Sequence, residues 1–424
     1  MPLETSFLAG SYFVGMRKLS ILMLLDGDFP PDIRVQKEAA SLVASGVNVT
    51  VFSSRRLDAS PEEEIDGIRV VRMNIPSISD QFNKKGWHDV FGAINFFYRD
   101  IYNEVIRLVD GNYDAIHVHD LPLARTGIAL GKKLNCPCVL DLHENYADGL
   151  DVWSGWQKNV LKKIKNALLF NPARWLRYEK RMVHQVGFVI ASVQEMQDRL
   201  IKEHDLSPAK TLLVSNTEYQ AFHHDQPTVD FITEADDNYN ITYVGGIGPH
   251  RGVDTAIHAM EEVVKHIPEA RLNIIGSGSA GTMAQLKRIV IDKKLGEAVV
   301  FHGKVPFKSV SACMTQSDIN IIPHNSNRQT NAAIPHKLFQ SMLSKKPTLV
   351  SDCSPLKRTI ESCGGGWIFE ADNPLSCAQK IIEIHQSGSE MNTRIRRAYE
   401  AASGPLSWEL TAESLVAFYQ NLAK

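Results

Sequence analysis

Short apolar runs alternate with longer segments of helical periodicity along most of the chain. In the first half, runs rich in β-branched residues are typical of strands buried in a parallel sheet. The segments between them carry apolar residues at i, i+3, i+4 and i+7, which is one face of a helix. The predicted strands are residues 19–25, 47–53, 68–75, 115–120, 137–143, 188–192 and 210–215, and one long helix covers 88–109. The acidic residues 61–64 are predicted to form a turn.

The pattern stops at residues 222–239, which are polar and lack an apolar period, and this segment is predicted to be a linker. The alternation then resumes, with strands at 241–244, 271–275, 299–302, 318–323, 347–351 and 366–369. It predicts an α/β chain with two Rossmann-like doubly wound domains facing a cleft, since such sheets bind ligands at the carboxyl ends of their strands. The predicted divisions are an N-terminal domain 1–221 with 1–15 as an extension, a C-terminal domain 240–404, and a helix at 405–424 that packs back on the N-terminal domain.

Composition excludes several classes of protein. The 424 residues carry a formal net charge of −2, which gives no reason to expect nucleic-acid binding. No apolar run reaches the 18 residues of a membrane span. The six cysteines form no C-x-x-C pair, which favours reduced thiols and a cytoplasmic location.

Glycines follow the first predicted strand of the second half. Gly246, Gly248 and Gly252 allow tight turns or a close approach to a ligand, and a helix begins directly after them. Arg251 stands at that helix start, where the helix dipole favours an anion. The free amides and the cation together predict an anion site. The alternative is an ordinary strand–loop–helix connection with a solvated arginine.

A second helix start in the same half has similar chemistry. Pro335 suits the first helical turn, and Lys337 places another cation there. Two such starts predict a diphosphate held between them, although two solvated cations remain the alternative. Gly276 and Gly278 follow a neighbouring strand, and the backbone near Val305 follows the next one, so both could approach a nucleotide.

Polar side chains end two predicted strands of the first half, and they are His117, His119, Asp120, Asp141, His143 and Glu144. Histidines and carboxylates together suggest an acid–base pair or a metal site. The spacing matches neither H-x-x-x-H nor H-E-x-x-H, so no metal is predicted. His117 lies deeper in its strand and is predicted to be a core histidine, whereas His119 is the candidate for substrate contact.

Residues 153–181 are rich in lysine, arginine and tryptophan and contain a single acid, Glu179. A basic helical segment with tryptophans is typical of contact with an anionic membrane surface. The alternative is a solvated helix face.

Taken together, these motifs resemble the GT-B glycosyltransferases, and family four of the retaining sugar-nucleotide transferases in particular. The resemblance spans nearly the whole chain. The matching stretches are 32–46, 117–122, 141–144, 179–192, 214–216, 244–254, 275–278, 301–303 and 335–339.

The resemblance implies roles for particular residues. Arg251 matches the lysine that binds the donor diphosphate, and Gly246 stands where the family has an arginine. Ala332 and Gln340 replace the two glutamates of the family's E-x7-E motif. Gln340 is expected to hydrogen-bond the ribose.

Other positions complete the implied site. Asn331 or Lys337 is expected near the sugar or the phosphates, and His119 matches the histidine that contacts the donor sugar. The expected catalytic residues are His119, Arg251 and Lys337. The expected donor-binding residues are Gly246, Gly248, Gly252, Gly276, Gly278, Val305, Asn331, Ile334 and Gln340. The acceptor-side candidates are Gly27, Arg34, Asp120, His143 and Glu144.

The resemblance implies a retaining glycosyltransferase that moves a sugar from a nucleoside-diphosphate sugar to a saccharide or lipid-linked acceptor, in polysaccharide or glycolipid synthesis. It implies neither a metal nor a cofactor. The expected location is cytoplasmic, with peripheral contact at the inner face of the cell membrane through 153–181. The alternatives are a sugar-nucleotide epimerase and a catalytically weak nucleotide-sugar binding protein.

Overall fold

The computed structural model describes residues 18–54, 58–78, 90–149, 171–223, 229 and 238–422. It contains two α/β domains, each built on one sheet with helices against it. The first domain has an eight-stranded sheet and the second has a six-stranded sheet.

The first sheet has the strand order β3-β4-β2-β1-β5-β6-β7-β8, and every pair is parallel except β3–β4. Its strands are β1 (Ser20–Leu24), β2 (Asn48–Ser53), β3 (Glu62–Ile65), β4 (Ile68–Arg72), β5 (Ala115–His119), β6 (Cys138–Leu142), β7 (Phe188–Ala191) and β8 (Thr211–Leu213). The α-helices of this part are α1 (Ile33–Ala44), α2 (Val90–Asn95), α3 (Arg99–Leu108), α4 (Ala124–Leu134), α5 (Pro172–Gln185) and α6 (Gln194–His204).

The second sheet is parallel throughout, with the order β11-β10-β9-β12-β13-β14. Its strands are β9 (Tyr239–Val244), β10 (Ala270–Ile275), β11 (Val299–Gly303), β12 (Ile319–Ile322), β13 (Thr348–Ser351) and β14 (Trp367–Phe369). The α-helices are α7 (Val253–His266), α8 (Ala280–Asp292), α9 (Val310–Thr315), α10 (His336–Leu343), α11 (Ser354–Cys363), α12 (Pro374–Gln386), α13 (Ser389–Ala402) and α14 (Trp408–Leu422).

The two-sheet α/β prediction is confirmed, but two local predictions are wrong. Glu62–Ile65 form an edge strand antiparallel to β4, where the sequence predicts a turn at 61–64. An edge strand needs one partner only, and Arg69 pairs with Glu62 at 2.6 Å across this ladder. The predicted long helix is interrupted between α2 and α3, where Phe96 has a left-handed φ of 54°.

The terminal helix α14 packs against α1 and the first sheet. Trp408, Leu415 and Tyr419 are buried in one cluster with strand residues of the first domain. Trp408 Nε1 also donates a hydrogen bond to Ser41 Oγ on α1 at 3.0 Å. The last helix of the chain therefore closes the core of the first domain.

Glycines allow the loops after β9, β10 and β12 to touch one another. A Cβ on Gly276 would lie 1.9 Å from the carbonyl oxygen of Gly245, and one on Gly278 would lie 2.3 Å from that of Ile247. A Cβ on Gly252 would lie 1.6 Å from the carbonyl oxygen of Pro323. These three glycines are required by loop packing, whatever the loops bind.

We expect Trp408→Ala to lower the free energy of unfolding of the first domain by about 3–5 kcal/mol, because it leaves a large cavity between α14 and α1. Leu410→Ala on the same helix is the matched control, since that side chain is 45% exposed. Urea denaturation monitored by circular dichroism measures both variants. Equal effects of the two substitutions would contradict the packing of α14.

Gly276→Ala should destabilise the second domain by several kcal/mol, since its Cβ would overlap the backbone of Gly245 and its φ is +144°. Gly246→Ala is the control, because a Cβ there meets no atom within 4 Å. Thermal unfolding of the two variants provides the comparison. A Gly276→Ala protein as stable as the wild type would show that these loops are not packed together.

Candidate functional site

The loops that follow the strands of the two sheets meet each other. Gln329 Nε2, after β12, donates to Glu144 Oε2, after β6, at 3.0 Å. Asn216 Nδ2, after β8, donates to the carbonyl oxygen of Ile334 at 3.3 Å, just before α10 begins. The carboxyl ends of both sheets therefore face a shared cleft, which is where a doubly wound sheet binds its ligands.

Arg251 and Lys337 lie on the second-domain side of this cleft. Arg251 precedes Gly252, whose φ is 63°, and its Nη1 donates to His324 Nε2 at 3.2 Å. Lys337 Nζ donates to Tyr243 Oη at 3.0 Å and sits 4.1 Å from the centre of that ring. Both cations thus contact neutral groups of the protein.

On this side of the cleft, basic groups lower the pKa values of one another. Burial and the charge of Arg251 hold the pKa of Lys337 well below its ordinary value. Burial, Lys337 and Arg251 do the same to the pKa of His324, and burial, Arg251 and Lys337 lower the pKa of His250 to about 4. The charged groups that shift these three pKa values are all basic side chains. An anion bound here would reverse the unfavourable interaction.

Backbone donors are available beside the cations. Helix α10 begins after Pro335 without a side-chain cap, so its first amides have no such acceptor. A Cβ on Gly245 would lie 2.8 Å from Lys337 Nζ, which shows that the glycine loop touches this helix start. Gly246 is exposed and its Cβ position is open. Gly248, by contrast, faces the His250 ring, 3.4 Å from its Cβ position.

Two predicted donor contacts have other partners in the structure. Asn331 Oδ1 accepts a hydrogen bond from the Ser354 amide at 2.7 Å, at the start of α11. Gln340 is buried, and its Nε2 donates to Glu218 Oε2 at 2.8 Å. Lys37 Nζ donates to the other oxygen of that carboxylate at 3.1 Å. Direct contact of Gln340 with a ribose therefore does not follow from this geometry.

Further predicted donor residues lie at the same sheet edge but have structural contacts. Gly252, Gly276 and Gly278 are needed for packing of the loops, as described above. Val305 packs against a small apolar cluster, and the carbonyl oxygen of Ile334 accepts from Asn216.

A buried ion pair organises the first-domain side. Arg34 Nε and Nη2 donate to Asp141 Oδ2 and Oδ1 at 3.1 and 2.8 Å. Arg34 Nη1 donates to the Val214 carbonyl oxygen at 2.9 Å and to Asn216 Oδ1 at 2.7 Å. The side chain is 4% exposed and its donors face the protein. The interpretation of Arg34 as an acceptor contact is therefore not supported, because its guanidinium is used inside the fold.

The two histidines of β5, His117 and His119, differ in their hydrogen-bond partners, as their positions in the strand suggest. His117 is fully buried, and its Nδ1 is 2.8 Å from Tyr419 Oη on α14. The His119 ring stacks on it at a centroid distance of 4.3 Å. His119 is 1% exposed, and its Nε2 has no hydrogen-bond partner within the described part of the chain.

Four side chains of this cluster have the composition of a metal site. Ligand atoms of Glu38, His117, His119 and Asp141 all lie within 4.8 Å of one another. Arg34 Nη2, however, is 3.1 Å from Glu38 and 2.8 Å from Asp141. This fixed cation would repel a divalent ion at the same carboxylates. Burial and Asp141 also raise the pKa of Glu38 to about 8, so the described residues fit an ion-paired network better than a metal centre.

The remaining acceptor-side candidates surround the mouth of this cluster. Asp120 has a φ of 68°, which is strained for a residue with a side chain, and its Oδ2 is 3.5 Å from His143 Nδ1. Burial and Asp120 raise the pKa of Glu144. Gly27, with a φ of 145°, donates from its amide to Ser54 Oγ at 3.2 Å.

Sequence reasoning missed several members of the site. Glu38 could have been found, because it lies four residues after Arg34 on the same helix face. No local pattern indicates Tyr419, His324, Lys37 or Glu218, whose partners are distant in the chain.

Comparison with known proteins agrees with this geometry. Residues 31–217 match the family described as glycosyl transferase 4-like domain, and residues 225–401 match the family described as glycosyl transferases group 1. The two matches thus cover most of the first and second domains.

The individual relatives have low sequence identity to this chain, but the similarity extends over most of its length. A D-inositol 3-phosphate glycosyltransferase of Paenarthrobacter aurescens is 20% identical, with 92% of each chain covered. An alpha-monoglucosyldiacylglycerol synthase of Acholeplasma laidlawii is 21% identical, over 73% of this chain and 75% of that protein. The structure of Anabaena HepE in complex with UDP-glucose is similar with a TM-score of 0.69 at 14% identity, over 95% of this chain and all of that one. Two facing Rossmann-like domains and two family matches that follow one another along the chain lead to one conclusion: this protein is a glycosyltransferase of the GT-B fold, with a glycosyl transferase 4-like first domain and a glycosyl transferases group 1 second domain.

Proposed function

We propose that this glycosyltransferase transfers a sugar from a nucleoside-diphosphate sugar to a saccharide or lipid-linked acceptor, with retention of anomeric configuration. The observation that carries the donor assignment is the pair of neighbouring cations, Arg251 and Lys337: burial and Arg251 lower the pKa of Lys337, and burial with both cations lowers the pKa values of His250 and His324. A diphosphate supplies two adjacent anionic groups for such a pair. Retention is what the resemblance to family four implies.

In the bond-breaking step, negative charge grows on the leaving diphosphate. Arg251, Lys337 and the first amides of α10 are donors that stabilise this charge without reorganising. The donor sugar extends from them toward His119 on the opposite side of the cleft. The leaving phosphate accepts the proton of the acceptor hydroxyl, so no residue of the chain is assigned as the base, and no metal or cofactor is required.

The acceptor is proposed by analogy with relatives. One of them is named for an inositol phosphate acceptor and another for a glycolipid product. A role in polysaccharide or glycolipid synthesis, on the inner face of the cell membrane, is consistent with both. No helix among the described residues is long and apolar enough to cross a membrane. Most of the basic segment 153–181 lies outside the described residues, which resume at Asn171.

Two other functions can be separated experimentally. An epimerase would convert a nucleotide sugar without any acceptor, but the family matches favour a transferase. A binding protein without turnover is suggested by Ala332 and Gln340, which replace the motif glutamates. A thermal-shift panel of nucleotide sugars would identify the donor, since a ligand that binds the native state raises its stability. Turnover of that donor would then exclude the binding protein.

Arg251→Ala should weaken binding of UDP-glucose by roughly 1.5–3 kcal/mol, or about tenfold to a hundredfold, because one charged hydrogen-bond donor to the diphosphate is lost. Fold stability should change little, since Arg251 does not favour the start of α7. Arg288→Ala, on the surface of α8 with its side chain 82% exposed, is the matched control. Titration calorimetry would measure both variants, and equal affinities would refute the diphosphate site.

If residues 153–181 contact the membrane, the protein should sediment with anionic vesicles and not with zwitterionic ones. Replacing Lys162, Lys163 and Lys165 by glutamate should abolish this binding, and raising the salt concentration should weaken it through screening. An unmutated protein that stays in the supernatant with anionic vesicles would eliminate the membrane hypothesis.

A further inference from the structure

His143 stands between three groups at the mouth of the buried cluster. Its Nε2 is 2.9 Å from Asp141 Oδ2 and 3.2 Å from His119 Nδ1. On the other side of the ring, Nδ1 is 3.5 Å from Asp120 Oδ2. The ring therefore has a carboxylate facing each nitrogen, and it touches the histidine that is expected to meet the donor sugar.

This arrangement favours the doubly protonated form of His143. Burial alone would lower its pKa, but Asp120 and Asp141 outweigh burial and raise the pKa of His143 to about 10. At neutral pH both ring nitrogens therefore carry a proton. Burial, together with the charges of His117 and His143, holds the pKa of His119 well below its ordinary value, so His119 is neutral.

The contact between the two rings then decides the tautomer of His119. A neutral imidazole carries one proton, on either Nδ1 or Nε2. Two N–H groups cannot point at each other across 3.2 Å without strong repulsion, and His143 Nε2 carries a proton. Asp141 Oδ2 is 3.6 Å from the same His119 Nδ1, beyond hydrogen-bond distance, so the closer, protonated His143 Nε2 favours Nδ1 as an acceptor and places the single proton of His119 on Nε2. That atom is buried and has no hydrogen-bond partner among the residues that the structure describes.

We propose that His143 is a positioning residue for the transfer reaction: it fixes His119 as the Nε2–H tautomer, so that this N–H is free to donate a hydrogen bond to the donor sugar. The inference rests on the proposed function in one respect only: the ligand that accepts the hydrogen bond from His119 Nε2 is the donor sugar. This role requires neither proton transfer between the rings nor contact of His143 with the substrate.

The backbone conformation of Asp120 helps to hold its carboxylate beside His143. Its φ of 68° and ψ of 154° belong to a region that residues with side chains disfavour. The strained residue is tied down twice, because its amide donates to the Asp141 carbonyl oxygen at 2.8 Å and its Oδ1 accepts from the His143 amide at 3.3 Å. The fold thus tolerates strain that holds a carboxylate beside the His143 ring.

Other charged groups also act on His143, and they belong to four parts of the fold. Arg34 and Glu38 approach from α1, and His117 and His119 from β5. Glu144 follows His143 in the chain. His336 faces the cluster from α10 of the second domain, where burial, Lys37 and Arg34 lower its pKa to about 3. It is therefore uncharged at neutral pH, and Arg34 is the cation that opposes protonation of His143.

The first test reads the tautomer directly and needs no turnover. Nitrogen-15 NMR of histidine-labelled protein, with the His119 signals assigned through His119→Gln, should show the Nε2–H form at pH 7. In His143→Gln, whose amide can present either its oxygen or its NH2 group, a substantial share of the Nδ1–H form should appear. His258→Gln, a half-exposed histidine on α7, should leave the His119 signals unchanged. An Nδ1–H tautomer in the wild type would overturn the proposal.

The second test uses UDP release from UDP-glucose with water as the acceptor. The kcat should be constant at neutral pH and fall as the pH approaches 10, because His143 is charged below its pKa and loses the proton above it. Asp120→Asn should move this fall roughly one to three pH units lower by removing a carboxylate partner. His143→Gln should reduce kcat roughly tenfold or more, with a small change in KM for UDP-glucose.

These outcomes separate the inference from the proposed function. A wild-type protein that neither binds nor cleaves any nucleotide sugar, yet shows the Nε2–H tautomer, would refute the function and leave the role of His143 in place. An active wild type whose alkaline limb is unmoved by Asp120→Asn, or whose kcat is unaffected by His143→Gln, would refute the inference alone.

Discussion

The buried pair of Arg34 and Asp141 is the interaction on which the arrangement of the site depends. Arg34 donates twice to Asp141 and once each to the Val214 carbonyl and Asn216, and so joins α1 to β6 and to the segment after β8. Asn216 continues the connection to Ile334 of the second domain. Removing one partner of such a pair would leave a buried charge uncompensated, which typically costs 3–5 kcal/mol. The site side chains around it are therefore held by a buried network that joins α1, β6 and the segment after β8.

In the second domain, by contrast, basic side chains lie close to one another. Arg251, Lys337 and two histidines repel one another when protonated, and no carboxylate is among the groups that shift the pKa values of Lys337, His250 and His324. Such an arrangement lowers the stability of the free protein and is compensated when an anion binds. Local rules of stability are most often broken where a ligand supplies the missing partner. In the proposed function, the paired charges of the first domain orient the site and the adjacent cations of the second domain bind the donor.

The positions of several candidate site residues could be predicted because they depend on local backbone geometry. Arg251 and Lys337 were found as cations at helix starts, and His119 as the last residue of a strand that opens on the cleft. Gln340 and Asn331 show the limit of such reasoning. Both lie in the expected motif, but Gln340 binds Glu218 and Asn331 holds the start of α11. A motif position specifies where a side chain begins, whereas its partner depends on which other group the packing brings within reach.

The sequence by itself determined most of the strands and helices and their arrangement in two sheets, because apolar periodicity and glycine positions act within a few residues of the chain. Only the tertiary structure decided the hydrogen-bonded network around His119. Tyr419 reaches His117 across 302 residues, and Arg34 reaches Asp141 across 107. These pairs form because separate helices and strands share one core, and no local pattern encodes which side chains will meet there. The charge of His143 and the tautomer of His119 depend on these long-range contacts, so they cannot be predicted from local sequence patterns.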